Sequence, residues 1–151
     1  MTLTVRVYGI IITDDKKVLV SDEYIRGAYI TKFPGGGLEI GEGTRDCLRR
    51  EIKEELFIDS EIGDHLYTTD FYQQSAFNTA HQILSIYYYV KPLEPILLPF
   101  KTTAFDFEPH QVSDPKGESE VIRLIDWEHF NEETVTLPID KLVARMLKEK
   151  H

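Results

Sequence analysis

Three carboxylates, Glu51, Glu54 and Glu55, stand in the run Arg50-Glu51-Ile52-Lys53-Glu54-Glu55. On a helix, positions i, i+3 and i+4 fall within an arc of about 100° on one face. Like charges this close destabilise a helix unless a cation compensates them. Hard oxygen ligands at that spacing suit Mg²⁺ or Mn²⁺, which favour carboxylates and shared phosphate oxygens over an all-protein cage. The chemistry indicated is metal-assisted chemistry on phosphate.

The spacing extends upstream. Five residues separate Gly36 from Glu42, and seven separate Glu42 from Arg50. Six fixed residues at ordinary usage match by chance on the order of once in 10⁵ chains of this length. The pattern Gly36, Glu42, Arg50-Glu51-Ile52-Lys53-Glu54-Glu55-Leu56-Phe57-Ile58 resembles the signature box of the Nudix hydrolases. Its lead-in, Phe33-Pro34-Gly35-Gly36-Gly37-Leu38-Glu39, is similar to that family's aromatic-x-Pro-Gly-Gly. Phe57 departs from the pattern, because it stands where the family has a glycine that takes the left-handed conformation after the helix.

The resemblance implies an α/β fold, a Nudix-like α/β/α sandwich with a mixed β-sheet between helices. It implies hydrolysis of the pyrophosphate link of a nucleoside diphosphate joined to another moiety, or of a nucleoside triphosphate. It also implies site residues: Glu51, Glu54 and Glu55 as metal ligands, the Gly35 carbonyl as a backbone ligand, and Arg50 with Glu42 pinning carboxylates that otherwise repel one another. Glu51, Glu54 and Arg50 are the expected catalytic residues, Glu51 being a candidate general base. A downstream glutamate often completes such a site; Glu118 and Glu120 are the candidates, and Glu120, next to the strand expected from Val121, is preferred. The alternative is a Nudix module that binds a nucleotide metabolite as a sensor without turning it over, and the intact box carboxylates argue against it.

The elements that must position these residues follow from periodicity. Leu3, Val5 and Val7 alternate with polar residues into Gly9 to Ile12, and Asp14-Asp15-Lys16 marks a turn before Val18 to Val20, a pattern that predicts a strand hairpin. Residues 22 to 31 read as a loop. Thr44 is the expected N-cap of a helix running to Leu56, with Leu48, Ile52 and Leu56 on its buried side. Strands are expected over Leu66 to Tyr72, Ile83 to Val90 and Val121 to Ile125. Pro92, Pro95, Pro99, Pro109 and Pro115 interrupt a long segment that reads as a binding element or an extra hairpin. A helix entered through Pro138 carries Ile139, Leu142, Val143, Met146 and Leu147.

Gly35 to Gly37 allow close approach of backbone to a ligand. Tyr72, Phe77, Asn78 and His81 lie on or near a loop suited to stacking on and hydrogen-bonding a base. Arg26 suits a phosphate, and Phe33 completes the expected substrate-binding set.

With 151 residues, 42% hydrophobic and 28% charged, the chain is expected to be a single domain over 1–151. The net charge of −9 argues against sequence-independent binding of nucleic acid polymers, which needs a basic surface. A single cysteine, Cys47, excludes an internal disulfide and fits a reducing compartment. No stretch reads as a membrane span or signal peptide, so the expected location is the cytoplasm. The expected partners are a small nucleotide-type substrate and at most a second copy of the chain in a homodimer, with no membrane and no nucleic acid.

Overall fold

The computed structural model describes residues 1–151. The fold is mixed α/β, with two sheets and two long helices. The strands are β1 (Thr2–Ile10), β2 (Lys17–Ile25), β3 (Ala28–Lys32), β4 (Gly35–Gly37), β5 (Ser60–Thr68), β6 (His81–Pro92) and β7 (Glu118–Asp126), and the helices are α1 (Thr44–Leu56) and α2 (Pro138–Lys150). No helix is long and apolar enough to cross a membrane. By its contacts the chain divides into two units, one of Met1–Ile11 with Pro34–Leu97, the other of Ile12–Phe33 with Leu98–His151.

The first unit holds the sheet β4-β1-β6-β5. β1 runs parallel to β6, from Thr2 opposite His81 to Ile10 opposite Tyr89, and antiparallel to β4. A parallel pair needs a long connection, and here the chain between β1 and β6 carries β2, β3, β4, α1 and β5. Leu48, Ile52 and Leu56 form the buried stripe of α1, each worth about 1.5 to 3 kcal/mol relative to exposure. Cys47 is buried beside them, and burial pushes its thiol up to about 12.

The second unit holds the antiparallel sheet β3-β2-β7. Its core includes Phe33, with its ring centroid 6.2 Å from that of Phe130, and the α2 residues Ile139, Val143, Ala144 and Leu147. Asp22, buried in β2, accepts from Arg123 Nε at 2.8 Å, from Thr31 Oγ1 at 2.6 Å and from the Phe105 N–H at 3.2 Å, which ties the proline-rich segment to the sheet.

Several expectations need correction. β1 and β2 are not a hairpin; they belong to different sheets, with a single bridge between Ile12 and Val18. Residues 22 to 31 are not a loop but the true hairpin, β2 and β3 joined at Arg26 (φ 46°) and Gly27 (φ 88°). Two consecutive positive φ angles make the tight turn whose twist matches paired strands. The N-cap of α1 is Gly43, without a side-chain cap, while the Thr44 hydroxyl lies 2.7 Å from the Tyr88 hydroxyl. β5 starts at Ser60 and ends at Thr68, and β7 starts at Glu118, so Glu118 and Glu120 lie within the strand. The proline-rich segment forms no hairpin: it contributes a 3-10 turn at Pro109–Gln111 and one bridge from Lys101 to Arg123.

Candidate active site

The site in the first unit is built on one glycine strand and one helix. Phe57 ends α1 at φ 58°, ψ 35°, the left-handed position, and its N–H donates to the Lys53 carbonyl at 3.0 Å. A non-glycine residue can hold this conformation at a cost, and Phe57 does so with its side chain largely in solvent. The helix therefore ends where the box requires despite the substitution.

Arg50 is the hub. Its Nη2 donates to Glu42 Oε1 at 2.7 Å and its Nε to Glu42 Oε2 at 3.1 Å, a two-pronged pairing. Nη2 also donates to the Gly37 carbonyl at 3.1 Å, and Nη1 to Glu51 Oε1 at 3.0 Å and Glu54 Oε1 at 3.4 Å. One guanidinium thus joins the glycine strand, the loop carrying Glu42 and two carboxylates of α1. The hydrogen bonds from Arg50 hold the Glu42 carboxyl down at about 2, and those same bonds, led by Glu42, raise the Arg50 guanidinium further above its ordinary value. Glu42 also accepts the Glu39 N–H at 2.9 Å, closing the loop on itself.

The glycines make room for the carboxylates. A Cβ on Gly36 would stand 2.6 Å from the Glu51 carboxyl carbon, so the Glu51 head group lies against bare backbone. Gly35, at φ 142°, packs so closely on β1 that a Cβ would collide with the Val7 carbonyl oxygen. Its N–H donates to Glu55 Oε2 at 3.2 Å. The sequence suggested close approach of this backbone to a ligand; in the structure it closely approaches the helix carboxylates and strand β1. Hard oxygen donors gathered by the Arg50 guanidinium and the Gly35 amide fit a divalent metal, and the cradle over Gly36 is one that any side chain would fill.

The remaining expected residues are scattered. Glu120 lies exposed on β7 in the second unit, directly opposite Glu23 of β2. Arg26 occupies the β2–β3 turn, with Nη1 3.3 Å from Glu118 Oε1. Phe33 is fully buried beside Phe130 and offers no surface to a substrate, so its expected binding role is corrected to a core role. Asn78 caps its own turn by accepting the Ala80 N–H at 3.0 Å, and His81 Nδ1 lies 2.6 Å from Thr4 Oγ1, so both shape the loop before β6. Tyr72 is exposed and lines a surface hollow of about 280 Å³ with Thr69, Asp70, Phe71, Gln82 and Ile83. Phe77 is exposed on the same loop.

Not singled out by the sequence is a group at the end of β7, Asp126, Glu128 and His129, whose ligand atoms lie within 4.8 Å of one another. All three are exposed, and Asp126 sits 3.9 Å from Lys17. They fall within four consecutive residues, interrupted by Trp127, but carry no motif, which is why spacing did not mark them.

Comparison with known proteins agrees with this geometry. The NUDIX domain model matches residues 3–145. No curated protein matches the chain. The fold is similar to the solution structure of the E. coli ORF135 protein, at 19% identity and TM-score 0.68, covering 99% of this chain and 92% of that one. It is similar to a NUDIX hydrolase from Nitrosomonas europaea, at 19% identity and TM-score 0.69, covering 99% and 90%. It is also similar to a MutT protein from Methanosarcina mazei Go1, at 16% identity and TM-score 0.66, covering 99% and 95%. Identities this low establish the shared fold; the family match, which takes in the whole box, establishes kinship. The chain belongs to the Nudix family.

Proposed function

We propose that the protein hydrolyses the pyrophosphate link of a nucleoside diphosphate joined to another moiety, or of a nucleoside triphosphate, with Mg²⁺ (or Mn²⁺). The observation that carries the proposal is the single Arg50 guanidinium reaching Glu42, Glu51 and Glu54 while Glu51 and Glu55 lie against the bare Gly35-Gly36 backbone. The family generally uses divalent cations. Glu51, Glu54 and Glu55, with the Gly35 carbonyl, would hold the ion. When bound, a divalent cation supplies the positive charge that offsets charge building on the pyrophosphate oxygens.

Each residue then has a task. Arg50 keeps three acidic side chains close without mutual expulsion, and Glu42 keeps Arg50 in place. Glu51 gives Oε1 to Arg50, so Oε2 is the atom we assign to accept the proton of the attacking water. Tyr72 and Phe77, both exposed, offer ring faces to a base, and Arg26 offers a cation to a phosphate. Small-molecule turnover also suits a single-domain cytoplasmic protein, alone or as a homodimer. Attack at phosphorus makes the products a nucleoside monophosphate and a phosphorylated remainder, or pyrophosphate from a triphosphate. Turnover of nucleoside triphosphates, nucleotide sugars, ADP-ribose and dinucleotides with Mg²⁺ in ¹⁸O-labelled water tests this. Label on a phosphoryl product is expected; label on a sugar carbon, or full activity after chelation of divalent metal, refutes the proposal.

A further inference from the structure

Helix α1 is tied to its sheet at both edges, and only one of the two ties belongs to the site already described. In the order β4-β1-β6-β5 the edges are β4 and β5, about 14 Å apart at ordinary strand spacing. α1 packs on β4, β1 and β5. At the β4 edge Arg50 Nη2 donates to the Gly37 carbonyl at 3.1 Å. At the β5 edge Arg45 Nη1 donates to the Ile62 and Gly63 carbonyls, each at 2.8 Å. Five helical residues set the two arginines about 140° apart around the axis and about 7.5 Å apart along it, so one helix turns a guanidinium to each edge.

The β5 end is shaped for this contact. Consecutive carbonyls of a regular strand point to opposite sides, and a bulge breaks that alternation. The β5–β6 register slips between Ile62 and His65, and here two consecutive carbonyls meet a single nitrogen atom. The Arg45 guanidinium also lies over the Tyr88 ring of β6, 4.7 Å from its centroid, while the Tyr88 hydroxyl is 2.7 Å from the Thr44 hydroxyl. Tyr88 is buried, with the His65 ring edge-on to it at 5.7 Å, so the platform under Arg45 is fixed. Gly43 brings no side-chain cap, and these contacts hold the first turn of α1 instead.

We propose that Arg45 is a positioning residue for the hydrolysis: by holding the first turn of α1 on β5 and Tyr88 it sets the roll of the helix, and the roll sets how Glu51 and Glu55 meet the Gly35-Gly36 backbone at the other edge. This rests on the reading of the box carboxylates as a hydrolytic metal site. Arg45 acts through the helix backbone and not on a reacting atom. A roll of only about 10° moves an atom at the helix's outer radius of about 5 to 6 Å by about 1 Å. A misplacement of that size costs up to about 100-fold in rate.

The test compares Arg45→Met with Arg49→Met. Arg49 bonds Asp46 of its own helix at 3.2 Å, so this control removes the same charge without loosening α1 from the sheet. Two quantities are measured at a temperature where each variant is folded by circular dichroism. One is the affinity of the substrate-free protein for Mn²⁺, by electron paramagnetic resonance. The other is kcat and KM with Mg²⁺ for the nucleoside triphosphate, nucleotide sugar, ADP-ribose or dinucleotide that the wild type hydrolyses fastest. Arg45→Met is expected to weaken Mn²⁺ binding about threefold or more and to lower kcat about tenfold or more, with KM changed less than about threefold. Arg49→Met is expected to keep the wild-type values. Arg45→Lys, which keeps the charge but not the flat group on Tyr88, is expected to fall between, and takes the place of Arg45→Met if that variant does not fold. A purely structural arginine lowers the melting temperature but leaves kcat and Mn²⁺ binding of the folded variant at the wild-type values, and that result overturns the proposal. Equal losses in Arg45→Met and Arg49→Met mark an effect of charge alone and overturn it as well. If the wild type hydrolyses none of these nucleotides and binds no Mn²⁺, the reading of the box falls and this proposal with it.

Discussion

Gly36→Ala separates the job of the glycine strand from its conformation. The added Cβ would stand 2.6 Å from Glu51 Cδ and Oε1 and 2.7 Å from Oε2. Carbon contacts settle at about 3.5 Å or more, so the Glu51 head group must retreat by about 1 Å. It is the far end of a flexible side chain, and the retreat costs only a rotamer adjustment of about 0.5 to 1.5 kcal/mol. That is offset by about 0.4 to 1 kcal/mol from the stiffer unfolded chain, so stability changes by less than about 1 kcal/mol. Activity does not escape, because a misplacement of about 1 Å at a catalytic group costs about 100-fold in rate, or roughly 2.7 kcal/mol of barrier. Gly35→Ala provides the contrast. Gly35 sits at φ 142°, and a Cβ there strikes the Val7 carbonyl oxygen and comes within 2.8 Å of Tyr8 Cα. Backbone strain of about 1 to 3 kcal/mol adds to a disrupted β1–β4 ladder, for a fall in melting temperature of roughly 6 to 12 °C. Calorimetry and steady-state turnover with Mg²⁺ on both variants check this. Wild-type kcat in Gly36→Ala, or a loss of stability equal to that of Gly35→Ala, refutes the reasoning.

Glu54→Gln and Glu55→Gln are each expected to lower turnover by about two orders of magnitude or more at unchanged melting temperature, since the amide keeps the shape and removes ligand charge; assays across a Mg²⁺ titration check it. Phe57→Gly should raise the melting temperature by about 2 to 4 °C, because Phe57 is left-handed and 65% exposed, and the relief of roughly 1 kcal/mol exceeds the packing lost; a fall in melting temperature would show that the ring packs. Glu42, depressed to about 2 in the folded state by Arg50, contributes stability that is fully present above its ordinary value of 4.5 and lost as pH falls from there toward 2. Denaturant unfolding of the wild type across that window should show this loss, and Glu42→Gln should lack its share of it.

The box helix was legible in the chain because its information is local. The stripe of Leu48, Ile52 and Leu56 lies at helical period, and α1 ends at the expected Leu56, starting at Thr44 itself, one residue earlier than Thr44 as N-cap implied. The carboxylates of α1 share a face for the same reason, and Pro138 marks the start of α2 as a proline at a helix start should. Strand pairing was not legible, because a strand's partner is chosen by burial far away in sequence. β1 pairs with β6 and β4 rather than with β2, and the Arg26-Gly27 turn, a weaker signal than Asn-Gly, concealed the real hairpin. Side-chain fate was hidden likewise: Phe33, expected at a substrate, is in a core, and Lys32 and Glu23 find each other only across β3 and β2. Residue types and short spacings thus determined the chemistry and the helix that carries it. Only tertiary structure decided which backbone the Glu51 carboxylate rests on and which charges are buried together, because those depend on contacts between residues that no local period relates.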